Sequence, residues 1–323
     1  MSVVEVIEQL ERELQTCIDE GRGEASERMR GYISTRGDTS ARRVRVALVS
    51  PTIRRSSVPV VDSVPAPVPD AEVRVSGSVS SDAKTSLVKA MAAFVSHAFR
   101  CEPLGLSCGR PALQSPTEAA EDVSGFINLI GSILGNDGAG IALLIYLAPS
   151  ESEHSLENVS VDDIVCVNIA EPHSSPDPAF AKRALDPSTQ FDSVGERIRA
   201  SFVYMDAIAA KSVSLHHVME YAICATAPEF RGGLIGPAVG VPNSLAHQKQ
   251  FKWSIYQRAG FALEQIVRLI GGYNALYSHS HNISGARRAE CGWQEIARVP
   301  YSDLPSAVTP VQGDNMVFMY KEL

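Results

Sequence analysis

Apolar residues recur at three- and four-residue intervals at the start of the chain, at Val3, Ile7, Leu10, Leu14 and Cys17. This spacing predicts an amphipathic helix over residues 2 to about 21 with an acidic outer face. Between about 22 and 69 the period is lost. Arg, Ser, Val and Pro dominate there, and the stretch ends in Val64-Pro65-Ala66-Pro67-Val68-Pro69, where proline at alternate positions resists both helix and central strand. A linker and domain boundary is expected, dividing the chain into an N-terminal extension, 1–69, and a main domain, 70–323. From Glu72 short strands alternate with helices. Val73 and Val75 open a first strand, and Leu87, Met91, Phe94, Val95 and Ala98 form a helical stripe that stops near Pro103. A second helix is expected over Glu118 to Leu134. The β-rich runs Ile141–Leu147 and Ile164–Ile169 read as buried antiparallel strands. Ile198, Phe202, Met205 and Ile208 mark a helix over 194–210, followed by a strand, Val218 to Thr226, and a glycine-rich segment. Beyond it come a helical region from about 244 to 270, a strand over Asn274–Ser280, a helix over Ser284–Glu290 and a strand over Asn315–Lys321. Such alternation predicts an α/β layered domain around a mixed sheet.

Composition narrows the function classes. In 323 residues, 45% hydrophobic and 20% charged, the balance is that of a globular chain. A net charge of −8 argues against nucleic acid as a partner and favours cationic small molecules. Six cysteines without a CxxC pair read as reduced core residues. No stretch has the apolar length of a membrane span, so no membrane partner is expected. The acidic first twenty residues do not read as a targeting segment, which makes the cytoplasm the expected compartment.

Chemistry concentrates after the strand at 218–226. In Pro228-Glu229-Phe230-Arg231-Gly232-Gly233-Leu234-Ile235-Gly236 glycines would let backbone N–H groups approach a phosphate, with a helix start aiming further donors at it. The segment resembles the pyrophosphate loop of the GNAT acyltransferase superfamily, with Leu234 where the loop normally has Gly. Ser284-Gly285-Ala286-Arg287-Arg288-Ala289-Glu290-Cys291-Gly292-Trp293 resembles that family's later helix, although Arg288 and Ala289 stand where many members place a tyrosine. Glu295–Tyr301 and Asn315–Tyr320 resemble its two closing strands. Ala98-Phe99-Arg100-Cys101-Glu102-Pro103-Leu104 resembles the Phe-x-x-Asp-Glu-Pro-Leu motif of invertebrate arylalkylamine N-acetyltransferases, with Cys101 in place of the Asp, and Ser280 and Ser284 fit that branch's serine pair.

The resemblance implies a GNAT-type mixed, mostly antiparallel sheet flanked by helices, preceded by a helical, low-order extension. It implies acetyl-CoA, or another acyl-CoA, as co-substrate and no metal. The cofactor contacts it implies are Ala225, Thr226, Arg231, Gly232, Gly233, Leu234, Ile235 and Gly236. An alkylamine must lose a proton before it attacks a thioester, so a carboxylate base is expected. Glu102 is the first choice by the family match. Glu220 is the second, with salt-bridge partner as its equal alternative. Ser280 or Ser284 would protonate the departing thiolate or order water, Ser284 also reading as a helix N-cap. His279 and His281 lack a patterned third metal ligand. The expected activity is acetyl transfer to the primary amine of a small molecule, an arylalkylamine being one candidate. The competing readings are a CoA-binding or interaction module without turnover, and a protein N-acetyltransferase. The N-terminal helix is free for self-association or a protein contact.

Overall fold

Ile141-Ala142-Leu143-Leu144-Ile145-Tyr146-Leu147 is too short for a buried helix and carries no polar face. It forms the middle of β2 (Ile141–Pro149), and beside it β3 (Ile164–Pro172) is buried on both faces as well. The computed structural model describes residues 1–35, 42–50, 81–111, 114–135, 139–149, 156–235, 238–239, 252–309, 311 and 313–323. Around β2 and β3 runs a seven-stranded sheet of order β1-β2-β3-β4-β7-β9-β8, completed by β1 (Arg42–Val49), β4 (Val218–Thr226), β7 (Ala275–His281), β8 (Gln294–Pro300) and β9 (Asn315–Glu322). Every neighbouring pair is antiparallel except β4 with β7. This is the mixed, mostly antiparallel sheet expected from the sequence.

Two features of β4 position the site. Its parallel ladder with β7 joins only Val218, Met219 and Glu220 to Ala275, Leu276 and Tyr277. Past Glu220 the two strands part. On its other side, the step from Ile169 to Glu171 on β3 is matched by the longer step from Ile223 to Glu220 on β4. The extra residue belongs to β4, a bulge that takes one backbone N–H out of the ladder and bends the strand.

Helices cover both faces. On one lie α3 (Ser81–Ala98), α5 (Pro116–Ile133) and α7 (Val194–Ala209), with the short α4 (Pro103–Ser107); α6 (Pro178–Ala184) and α7 are inserted between β3 and β4. On the other lie α1 (Val3–Asp19), α8 (Ile255–Ile270) and α9 (Asn282–Glu290). In α8 the buried residues Ile255, Ala259, Ala262, Leu263, Ile266 and Val267 form one continuous stripe, and Ser254 with Gln257 closes its start as a capping box.

The linker expected over 22–69 does not hold where the structure describes it. After α1 come α2 (Glu24–Thr35) and then β1, an edge strand of the main sheet. Arg42, Arg43 and Arg45 gave this stretch the look of a linker. In the fold Arg42 meets Asp163 at 2.6 Å and Arg45 meets Glu11 at 2.9 Å, while Val44 and Val46 to Val49 are buried. Nor is α1 an appendage: Val6, Leu10, Leu14, Cys17 and Ile18 are part of the main core. Glu13 accepts from Val239 N at 2.8 Å and faces the fully buried Arg258 at 3.9 Å. The proline run and the strand expected at Val73 and Val75 lie outside the described residues.

Of the helical region expected over about 244 to 270, residues 244–251 lie outside the described residues, 252–254 form a strand, and the described helix begins at Ile255. Before it, β5 (Gly233–Ile235) and β6 (Lys252–Ser254) pair as an antiparallel ribbon.

Candidate functional site

Where β4 and β7 part, a guanidinium lies between them. Arg288 reaches in from α9, its Nε donating to Ser280 Oγ on β7 at 3.2 Å and its Nη2 to Cys224 Sγ on β4 at 3.1 Å. Tyr221 and Trp293 each place a ring centroid 4.7 Å from it, and Tyr256 one at 5.6 Å. The residue is 6% exposed. Burial works against its charge, yet a guanidinium stays protonated in proteins, so Arg288 is a buried cation. Among the described residues no carboxylate pairs with it. Glu264, which lines the same small cleft, is taken by Lys321 Nζ at 2.6 Å and Trp293 Nε1 at 2.9 Å.

The opposite face of the sheet carries acid. Side chains alternate along β7, so Tyr277 and His279 point away from Ser278 and Ser280. His279 Nδ1 lies 3.1 Å from Glu220 Oε1, and its Nε2 lies 2.9 Å from Asp206 Oδ1 on α7. Phe202 stacks on the ring at 4.5 Å. Burial pushes the imidazole down, but the two carboxylates outweigh it and raise it to about 10, so His279 is a cation between two anions. Tyr277 Oη donates to Glu220 Oε2 at 2.8 Å and stands 2.8 Å from His173 Nδ1. Burial pushes the Glu220 carboxyl up, and His279 and Tyr277 bring it below the ordinary carboxylate value. With both oxygens engaged, Glu220 is in the salt-bridge arrangement and is poorly placed to take up a further proton. Directly across from it on β3, Glu171 is pushed up to about 7 by burial and then by the Glu220 charge.

Glu102 lies at the foot of α4, where its Oε2 accepts from Gly105 N at 3.0 Å as the N-cap. Burial pushes its carboxyl up, against the pull of the Gly105 and Leu104 amides and of Arg110. Tyr301 and Asp314 stand in its field, and among the described residues the buried Tyr301 Oη has no hydrogen-bond partner. Ser280 faces the gap beside Arg288. Ser284 does not: its Oγ donates to His281 O at 3.1 Å and accepts from His281 N at 3.0 Å. The N-cap of α9 is His281, and Ser284 sits in the first turn closing the box, which corrects its expected place at the cap. His281 Nδ1 accepts from Ile283 N. Among the described residues no group of three or more His, Cys, Asp or Glu could hold a metal.

The glycine-rich segment departs most from expectation. Its described part, up to Ile235, ends in β5, with Leu234 fully buried against the N-terminal helices. Several of its backbone groups are engaged. Ile235 N donates to Arg22 O, Arg28 Nη1 donates to Arg231 O at 2.7 Å, and Arg258 Nη2 donates to Leu234 O at 3.2 Å. A Cβ on Gly232 would stand 3.2 Å from the Glu24 side chain. The close approach expected of a phosphate is thus made by α2. Arg231 and Arg28 remain exposed at the end of β4, where Arg231 Nε donates to Thr226 O. Ala225 and Thr226 pair with Val167 and Cys166 of β3, leaving their other edge toward the gap. Gly236 lies outside the described residues.

Sequence reasoning named Ser280, Glu102 and Glu220. It passed over Asp206, Glu171 and Tyr277, whose significance depends on strand register, and took Arg288 only as a missing tyrosine. Its position four residues before Gly292 was the available signal.

No family model and no curated protein matches the chain. Among solved structures, it is similar to a mosquito arylalkylamine N-acetyltransferase-like 5b, at 14% identity over 73% of this chain and 95% of that one, with a TM-score of 0.45. It is also similar to the apo form of an agmatine N-acetyltransferase mutant, at 13% identity over 74% of this chain and 95% of that one, with a TM-score of 0.41.

Proposed function

We propose that the chain transfers an acetyl group, or a related acyl group, from CoA to the primary amine of a small molecule. The observation that carries this reading is the gap between β4 and β7, with a bulged strand on one side, carboxylates on one face of the sheet and a guanidinium on the other. An ammonium group suits the face bearing Glu102, Glu171 and Glu220. An extended thioester arm suits the unpaired edge of β4 from Tyr221 to Thr226, where its amides can add to the strand. Its diphosphate end would meet Arg231 and Arg28.

In the reaction the ammonium proton passes to Glu102, directly or through one water. The freed amine attacks the thioester carbonyl, and the N–H released by the β4 bulge polarises the carbonyl oxygen. The N–C bond forms, the C–S bond breaks with its electron pair on sulfur, and the second proton of the nitrogen passes to water. Holding both reactants in the gap supplies much of the acceleration.

Thiol release from acetyl-CoA, followed with a panel of arylalkylamines, polyamines and amino acids, tests this reading. At least one amine is expected to stimulate release, and Glu102→Gln is expected to lower kcat by about 10²–10⁴-fold. Equal rates for Glu102→Gln remove only the role of that residue. The second reading, a CoA-binding module without turnover, is favoured by α2 lying over the glycine segment. It wins if CoA binds in a calorimeter and no amine stimulates release.

A further inference from the structure

A buried arginine that merely fills space is normally matched by a carboxylate, because an isolated charge in the interior is expensive. Arg288 is held by a thiol, a hydroxyl and three aromatic rings, all neutral, at the point where the parallel pair of β4 and β7 opens. Rings offset part of the desolvation through cation–π attraction. They leave the charge itself unneutralised. We infer that the gap between β4 and β7 is an anion site built on Arg288, and that its anion is the CoA thiolate released by acyl transfer.

This deepens the acyl-transfer reading and rests on it. As the N–C bond forms, the C–S bond breaks with its electron pair on sulfur; of the two protons the nitrogen gives up, one has gone to Glu102 and the other passes to water. The sulfur then leaves as a thiolate beside the guanidinium and takes a proton from water after release. No side-chain acid is required. Ser280, whose hydroxyl already accepts from Arg288, becomes a positioning residue that fixes the guanidinium in the gap.

The groups facing Arg288 leave the titration of such a sulfur readable. Burial pushes Cys224 up to about 11 and Cys291 up to about 12, and it pushes Tyr221 and Tyr256 upward. A cation within a few ångströms lowers an acid by about 1–3 pKa units. The experiment compares CoA with desulfo-CoA on the full chain, by calorimetry across pH and by the thiolate absorbance of the CoA-minus-desulfo-CoA difference spectrum. In the wild type the bound CoA thiol is expected to titrate at least one unit below free CoA. At the free thiol's pKa, CoA should accordingly bind about fivefold tighter than desulfo-CoA, rising to about tenfold at higher pH. Arg288→Met should abolish this preference while leaving desulfo-CoA affinity in place, and Arg288→Lys should restore part of it.

Equal binding of CoA and desulfo-CoA to the wild type, or an unchanged thiol titration in Arg288→Met, overturns the inference and leaves acyl transfer standing. Binding of neither nucleotide removes both. Displacement of acetate from the site without any effect of CoA would reassign it to a carboxylate ligand. If Arg288→Met fails to fold by circular dichroism, the wild-type comparison and Arg288→Lys decide.

Discussion

At His279 a single imidazole ties α7, β4 and β7 together, and its titration should be visible in the stability of the whole chain. Its folded value is raised to about 10 from 6.5. The folded state therefore keeps a proton that the unfolded state has lost over that interval. The stabilisation is fully present below pH 6.5 and is lost as pH rises through about 10. Urea midpoints of the wild type should fall across this window, whereas His279→Gln should lack that slope. His279→Gln should also cost about 3–5 kcal/mol at pH 6.5, since Asp206 and Glu220 are left facing each other without a cation. A wild-type slope no steeper than the variant's would show that the imidazole is neutral in the fold. Glu171 behaves in the opposite sense to an ordinary paired carboxylate. Raised to about 7 from 4.5, it loses stability for the protein as pH climbs from 4.5 to 7. Glu171→Gln should accordingly raise the urea midpoint above pH 7 and leave it little changed near pH 4.

Among the elements, α1 and α2 decide whether the N-terminus is an extension or part of the domain. Leu10 is fully buried on α1, so Leu10→Ala is expected to cost about 2–5 kcal/mol in urea unfolding. A detached helix would give about 0.5 kcal/mol or less, as for a surface site. The turn between the helices is equally committed. Gly23 has φ of +99°, and a Cβ there would stand 2.4 Å from Gly233 O. Gly23→Ala must therefore push α2 away from β5 as well as strain its own backbone, at a cost above about 1 kcal/mol.

For the whole molecule, the sheet separates charge. Glu102, Asp206 and Glu220 lie on the α7 side, and Arg288 lies on the α9 side, with the strand gap between them. A nucleotide thioester that binds the native state through this gap must stabilise the fold by mass action. CoA at one hundred times its Kd is expected to add about 2.7 kcal/mol, read as a rise in the thermal midpoint. A midpoint indifferent to CoA at millimolar concentration would count against the acyl-CoA reading as a whole.

What the sequence determined by itself follows from period and punctuation. The buried strands at 141–149 and 164–172, the helix at 194–209 and the strand at 218–226 were legible because their hydrophobic spacing is set by one element's own geometry. Glu102 and Ser280 could be picked out because local motifs carry them. The strand at 42–49 was hidden because its arginines find their partners, Asp163 and Glu11, far away along the chain. The glycine segment was misjudged for the same kind of reason, since its backbone is met by Arg22 and Arg28 more than two hundred residues earlier. Only the tertiary structure could place Asp206 and Glu220 on the two nitrogens of His279, or Arg288 between two strands that part. Those arrangements depend on register and on where a ladder ends, and no local stretch of sequence encodes either.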